Sequence, residues 1–192
     1  MMKKILLVLG MVLVLGTLTG CTDYAKKYDQ NTLVVKSNGT LIEVAVEDFS
    51  ESSVTPEGLS VYITEQIDQY NDTQDKDMVE KDNLITEDMS EVKLVLKYKS
   101  MESYNDFNLL HCTLDDFSNV DEKSLKGTFT SADGKSVKVG KMEGVKKAKV
   151  LIISEKMDIA LDGTVLYYNK EVSVKDDVIS TTGKGNAIVI FK

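Results

Sequence analysis

The stretch Thr32-Leu-Val-Val-Lys-Ser-Asn-Gly-Thr-Leu-Ile-Glu-Val-Ala-Val-Glu47 contains two β-rich runs on either side of Asn38-Gly39. Asn-Gly between two apolar runs is the strongest local signal of a β-hairpin, because a type I′ turn needs a positive φ at both central positions. In the second run Ile42, Val44 and Val46 are predicted to face one side of the sheet, and the intervening residues the other.

A helix is predicted over residues 56–71, directly after this hairpin. Thr55 can cap the helix, and Pro56 suits its first turn. The side chains that recur at helical spacing, and so predict a buried face, are Leu59, Tyr62, Ile63, Gln66, Ile67 and Tyr70. Residues 71–77 that follow are polar and acidic, which predicts a loop.

Residues 91–99 alternate between apolar and polar side chains and predict a half-buried strand. Ser100 can cap a short helix over residues 101–108. We expect a short strand at residues 109–112 and a helical turn at 114–117.

The last third of the chain is a series of predicted strands separated by turns. Asp133-Gly134 and Asp162-Gly163 are hairpin signals, and residues 148–153 and 186–191 are apolar strands, the last one central. Together these patterns predict an α+β fold. A hairpin–helix–strand part over residues 32–124 is followed by a β-rich antiparallel meander over 125–192, a small sandwich or partial barrel.

The first twenty residues have the layout of a secretory signal. Lys3 and Lys4 precede an apolar run too short to span a bilayer well, and small residues follow it. The segment Leu18-Thr19-Gly20-Cys21 resembles the lipobox of bacterial lipoproteins. That resemblance implies cleavage before Cys21 and lipid on its thiol; the alternatives are an ordinary signal peptide or an uncleaved anchor.

Lipid on Cys21 implies an extracytoplasmic protein held at the cell membrane by acyl chains such as palmitate. Two acyl chains anchor a protein stably, whereas one gives only marginal binding. Residues 21–31 are then expected to form a short tether between the membrane and the folded domain.

Further stretches resemble a family of small uncharacterised surface lipoproteins of anaerobic Gram-positive bacteria. They are the hairpin over residues 33–49, the end of the first helix at 67–71, and the segment 96–108. The resemblance covers most of residues 32–112. It implies a surface lipoprotein with no known activity, and no site residue except Cys21.

The composition of the chain argues against several kinds of partner. Two of the 23 basic residues lie in the signal and all 31 acidic residues follow it, so the mature chain has a formal charge of −10. Nucleic acid is therefore an unfavourable partner. The chain also has no arginine and no tryptophan, which lowers the expectation of phosphate or sugar sites. No cofactor is expected.

Few residues suggest chemistry. His111 lies beside Cys112, but adjacent residues of a strand point to opposite faces, so a catalytic pair is not expected and Cys112 is interpreted as buried. Two ligands are too few for a structural zinc site. The acidic loop with Asp72, Asp75 and Asp77 lacks the glycine of a calcium-binding EF-hand. No metal site is predicted.

Tyr98, Tyr104 and Phe107 are close in sequence and either pack in the core or line a ligand cleft. The function we expect is a membrane-tethered module that binds an envelope protein or a small ligand, without catalysis. The alternative is an envelope hydrolase or transferase that uses carboxylates such as Glu91, Asp106 or Asp115.

Overall fold

The computed structural model describes residues 22–50, 53–86, 89–175 and 178–192. Within these ranges the chain forms three α-helices and 13 β-strands arranged in two sheets, a mixture of α and β structure in which strands dominate. The predicted signal peptide and Cys21 lie outside the described residues.

The helices are α1 (Tyr24–Lys27), α2 (Pro56–Asn71) and α3 (Met101–Asn108). The strands are β1 (Thr32–Val35), β2 (Leu41–Glu47), β3 (Val79–Ile85), β4 (Val92–Tyr98), β5 (Thr113–Asp116), β6 (Thr128–Ser131), β7 (Ser136–Lys138), β8 (Lys149–Ile153), β9 (Asp158–Leu161), β10 (Val165–Asn169), β11 (Val172–Lys175), β12 (Val178–Thr181) and β13 (Ala187–Phe191). Three short 3₁₀ turns lie between β5 and β8.

Strands from both halves of the chain share the larger sheet, whose order is β11-β12-β9-β1-β2-β4-β3. The smaller sheet has the order β5-β8-β13-β10-β6-β7. Among the described strands every pair is antiparallel except β1 with β9, which are parallel. Within residues 125–192 the described strand pairs are all antiparallel, as expected. Their strands are divided between the two sheets instead of following one another in a single meander, and the parts 32–124 and 125–192 do not correspond to the two sheets.

The predicted hairpin at Asn38-Gly39 is confirmed as the antiparallel pair β1–β2. Its turn is not type I′, because only Gly39 has a positive φ, of 85°. The loop has three residues, with the backbone N–H of Gly39 donating to Lys36 O at 3.0 Å. A glycine at this left-handed position is the usual solution for a three-residue hairpin loop.

The second expected hairpin, at Asp162-Gly163, is wrong. β9 lies in the larger sheet and β10 in the smaller one, so this turn carries the chain between the sheets. A Cβ on Gly163 would lie 2.9 Å from Lys192 O, because the chain end passes against the turn. A glycine is therefore needed at position 163 because the backbone of Lys192 leaves no room for a side chain, and not because the turn belongs to a hairpin. The other predicted glycine turn, at Asp133-Gly134, does join paired strands, β6 and β7.

Both predicted helices are confirmed with the capping chemistry that the sequence indicated. Thr55 Oγ1 accepts from the N–H of Gly58 at 3.1 Å, with Pro56 in the first turn of α2. Ser100 and Ser103 form a reciprocal capping box at the start of α3.

Residues 109–117 differ from the prediction. Leu109 is the left-handed C-cap of α3, with φ of 55° and 87% of its surface exposed, and no strand forms at 109–112. The expected helical turn is instead β5, which pairs with β8. Sheet pairing there overrides the weak local helix signal. β3 was not predicted at all, because its charged side chains at the sheet edge hide the strand pattern.

The larger sheet is covered on one face and partly covered on the other. One face packs into the main buried cluster, which also includes Leu151 and Val189 of the smaller sheet. The other face packs against Tyr24 and Ala25 of α1. β4 is therefore buried on both faces, and its prediction as a half-buried strand is corrected: Val95, expected to face solvent, is fully buried.

Residues 24–29 were expected to be part of a tether, but they are attached to this sheet face. The Nζ of Lys93 on β4, largely buried, lies 2.6 Å from Asp29 Oδ1 and 3.4 Å from Tyr28 O. A buried ammonium needs such partners, since an unpaired buried charge is costly. Residues 24–29 of the expected tether therefore belong to the folded body.

Candidate functional site

A cleft of about 580 Å³ lies between α2 and α3, over the face of β2 and β4 opposite α1. Its volume falls within the range of small-molecule sites, roughly 300–1,000 Å³. The floor comes from alternate residues of the two strands, among them Glu43, Ala45, Leu94 and Leu96. These positions share one face because side chains alternate along a strand.

A half-buried carboxylate, Glu43, stands in this otherwise apolar floor. The Tyr98 hydroxyl donates to Glu43 Oε2 at 2.6 Å. The Nδ2 of Asn108, at the end of α3, donates to the Tyr98 hydroxyl at 3.0 Å and contacts Glu43 Oε2 at 3.4 Å. Residues from β2, β4 and α3 are thereby fixed to one carboxylate oxygen.

The pKa values of this group follow from its burial. Burial raises the pKa of Glu43, and the hydrogen bonds from Tyr98 and Asn108 oppose that rise. Burial and the neighbouring Glu43 carboxylate raise the pKa of Tyr98, so its hydroxyl keeps its proton and acts as a donor. Among the described residues, the donors to the Glu43 carboxylate therefore reach only one of its two oxygens, Oε2.

Aromatic rings form the wall beside Glu43. Phe107 contacts Tyr98 with ring centroids 6.0 Å apart and Tyr70 of α2 with centroids 5.5 Å apart. Tyr104 packs on Tyr98 edge to face at 5.1 Å. The structure thus brings together the three aromatic residues singled out in the sequence. Phe107 lines the cleft, Tyr98 reaches it through Glu43, and Tyr104 lies in the core behind them.

Tyr104 is fully buried, and its hydroxyl has no hydrogen-bond partner among the described residues. Burial, with the carboxylate of Glu43 nearby, raises the pKa of Tyr104. A buried hydroxyl without a partner costs roughly 1–3 kcal/mol. The ring of Tyr104 therefore contributes packing, while its hydroxyl is a stability cost.

Sequence reasoning missed Glu43, Tyr70 and Asn108 as parts of the site. Glu43 was placed correctly on the opposite face from Ile42 and Val44, but that face was not expected to be covered by helices. For Tyr70 the helical spacing indicates only that it lies on the buried face of α2. The alternation of β2 carried the signal for Glu43, yet nothing local indicated what would pack over it.

Cys112 is buried, whereas the neighbouring His111 is exposed. Cys112 Sγ donates to Glu155 Oε2 at 3.4 Å. Burial, together with Glu155, raises the pKa of Cys112 to about 12. The thiol is therefore protonated at neutral pH and is a poor nucleophile.

The carboxylates of the enzymatic alternative do not form one site. Glu91 Oε1 lies 3.4 Å from Lys93 Nζ on the far side of the sheet, whereas Asp106 and Asp115 line a second cleft beside α3. Hydrogen bonds from Asn119 and from a backbone N–H lower the pKa of Asp115, which favours the ionised form over the protonated form that a general acid needs.

Asp72 and Asp77, from the acidic loop, line a small cleft at the end of α2. Over residues 22–50, 53–86, 89–175 and 178–192, no group of three His, Cys, Asp or Glu side chains is arranged to hold a metal ion. The helices in these ranges are also all too short or too polar to cross a membrane.

No known protein family, curated protein or solved structure matches the chain.

We predict that removing the Tyr98 hydroxyl lowers stability, whereas removing the neighbouring Tyr104 hydroxyl does not. Tyr98→Phe removes the main donor to Glu43 and should lower the free energy of unfolding by about 1.5–3 kcal/mol. Tyr104→Phe removes a hydroxyl without a described partner and should be neutral or stabilising by about 1 kcal/mol. Urea unfolding of both variants measures this contrast, and equal losses from the two would contradict the described hydrogen bonding.

Glu43→Gln should make stability less dependent on pH. Burial raises the pKa of Glu43 in the folded protein above its value in the unfolded chain, which is near 4.5. The protonated side chain therefore favours the folded state below pH 4.5, and this contribution to stability is lost as the pH rises through the folded-state pKa. The glutamine variant should therefore be more stable than the wild type at pH 7, and the gap should close toward pH 4. Thermal unfolding across this range measures the gap, with Glu47→Gln, an exposed carboxylate at the end of the same strand, as the control for net charge. A gap independent of pH would show that Glu43 is not desolvated.

Proposed function

We propose that this chain is an extracytoplasmic lipoprotein, anchored to the cell membrane through lipid on Cys21, that binds a small ligand in the cleft between α2 and α3. The anchor is supported by the order of features in residues 1–21: positive charge, apolar run and lipobox. The resemblance to small surface lipoproteins agrees with this placement.

The observation that carries the binding function is the half-buried carboxylate in the floor of the cleft. Burial disfavours the ionised form of Glu43, so the fold is less stable at neutral pH than it would be with a neutral side chain. Polar groups with perturbed pKa values inside a cleft are a general mark of functional sites. A role in binding explains why this position is not occupied by an apolar residue.

The packing of the two sheets supports a rigid frame around the cleft. One buried cluster contains side chains of α2, of the larger sheet and of the smaller sheet, for example Ile63, Leu33 and Leu151. We infer that the sheets pack face to face as a small sandwich, with α2 and α3 closing the open end of the larger sheet. A site on such a frame is largely formed before its ligand arrives.

Lipidation is tested on the cysteine itself. In the bacterium that makes it, the wild-type chain should incorporate labelled palmitate and give an N-terminal peptide that starts at Cys21 and carries a diacylglyceryl group. Cys21→Ala should lose both signals, and Cys112→Ala should keep them, because Cys112 is buried in the folded domain. A mature N terminus elsewhere, without lipid, would disprove the anchor.

Ligand binding is tested by thermal unfolding of the full chain in a neutral detergent, with a panel of amines, amino acids, sugars, short peptides and carboxylates. A ligand that binds only the folded state raises stability by RT ln(1 + [L]/Kd), so at least one compound should give a saturable rise in Tm. Ala45→Leu, which fills the floor, should abolish the rise. The same substitution at the exposed Ala132 is the control. A shift that survives Ala45→Leu would place the ligand elsewhere, and a flat panel would count against a small-ligand function.

A further inference from the structure

We propose that the ligand of this cleft is an organic cation with an apolar body, whose ammonium group pairs with the Glu43 carboxylate. The inference rests on the proposed binding function and names its ligand class. Three features of the cleft lead to it: the sign of its charges, its aromatic wall and the free side of the Glu43 carboxylate.

The charged residues that line the cleft are Glu43 and Asp106, and both are carboxylates. Lysines are frequent in this chain, yet none is among the residues that line the cleft. An anionic ligand would be repelled by both carboxylates. A neutral ligand could replace the water around Glu43 only with an uncharged hydrogen bond, so a cation is the ligand that the electrostatics favour.

The wall and rim of the cleft provide aromatic surfaces for such a cation. Tyr70 and Phe107 are half-buried beside the floor, and Tyr62 stands at the rim on the same side of α2 with 59% of its surface exposed. The face of an aromatic ring attracts ammonium groups within about 6 Å of its centre. The same rings, with Leu94 in the floor, supply apolar surface for the rest of the ligand.

The hydrogen bonds around Glu43 leave one oxygen for the ligand. Tyr98 and Asn108 both donate to Oε2. No donor from the described residues reaches Oε1. An ammonium donating to Oε1 would complete the coordination of the carboxylate and offset the burial that raises its pKa.

The test measures binding of three probes that share one aromatic body: phenethylammonium, 2-phenylethanol and phenylacetate. Because the chain has no tryptophan, Tyr62→Trp at the rim gives a single fluorescent reporter that keeps an aromatic face there. The full chain is used in a neutral detergent. We expect saturable fluorescence changes with phenethylammonium and at least about tenfold weaker binding of the other two probes.

Further substitutions in the Tyr62→Trp protein show which carboxylate pairs with the ammonium group. Glu43→Gln should weaken phenethylammonium binding at least about tenfold and leave binding of 2-phenylethanol unchanged, because only the charged partner is lost. Asp106→Asn, exposed at the edge of the cleft, should have a smaller effect. Glu47→Gln removes one negative charge outside the cleft and should have none.

The outcomes separate this inference from the proposed function. Equal binding of the neutral and cationic probes, or binding of phenethylammonium that Glu43→Gln does not weaken, would overturn the cation and leave a binding cleft. Preference for phenylacetate would overturn it as well. If none of the three probes binds and the broader panel is also flat, the cleft is not a ligand site and both proposals fail.

Discussion

The parallel pairing of β1 with β9 is the constraint on which the architecture depends. It places Leu33 beside Ile159, more than a hundred residues along the chain, and joins the N-terminal hairpin to the C-terminal strands in one sheet. From there the chain turns at Asp162-Gly163 into the smaller sheet. Without this pairing the larger sheet would end at β1. The buried cluster that both sheets share would then lose the side chains of β9, β12 and β11.

Features set by neighbouring residues could be predicted from the sequence. Thr55-Pro56 defines the start of α2, Ser100 defines the start of α3, and the hairpin around Gly39 needs only the turn and two β-rich runs. The parallel β1–β9 pairing has no local signal, because its contacts form only after a long loop closes. For the same reason Asp162-Gly163 resembled a hairpin turn, although the strands on its two sides separate into different sheets.

The residues of the candidate site also fall into two groups, those that sequence spacing places together and those that only tertiary packing brings together. Tyr98, Tyr104 and Phe107 lie within ten positions on one strand and the helix that follows it, so their proximity could be inferred from spacing. Glu43 and Tyr70 join them only through the packing of α2 on the sheet. A glutamate that alternates with apolar residues has the same sequence pattern whether its face meets solvent or a helix. Only the tertiary structure shows that this one is partly buried.

The attachment of α1 determines how the domain would sit on a membrane. Tyr24 and Ala25 are buried only three and four positions after Cys21, so at most roughly 10 Å of chain separates the proposed lipid from the folded body. α1 covers one face of the larger sheet, and the cleft opens on the other. A domain anchored this closely would rest with its α1 side toward the bilayer and its cleft toward the cell exterior. With the proposed anchor in place, the cleft would face molecules arriving from outside the cell instead of the lipids of its own membrane.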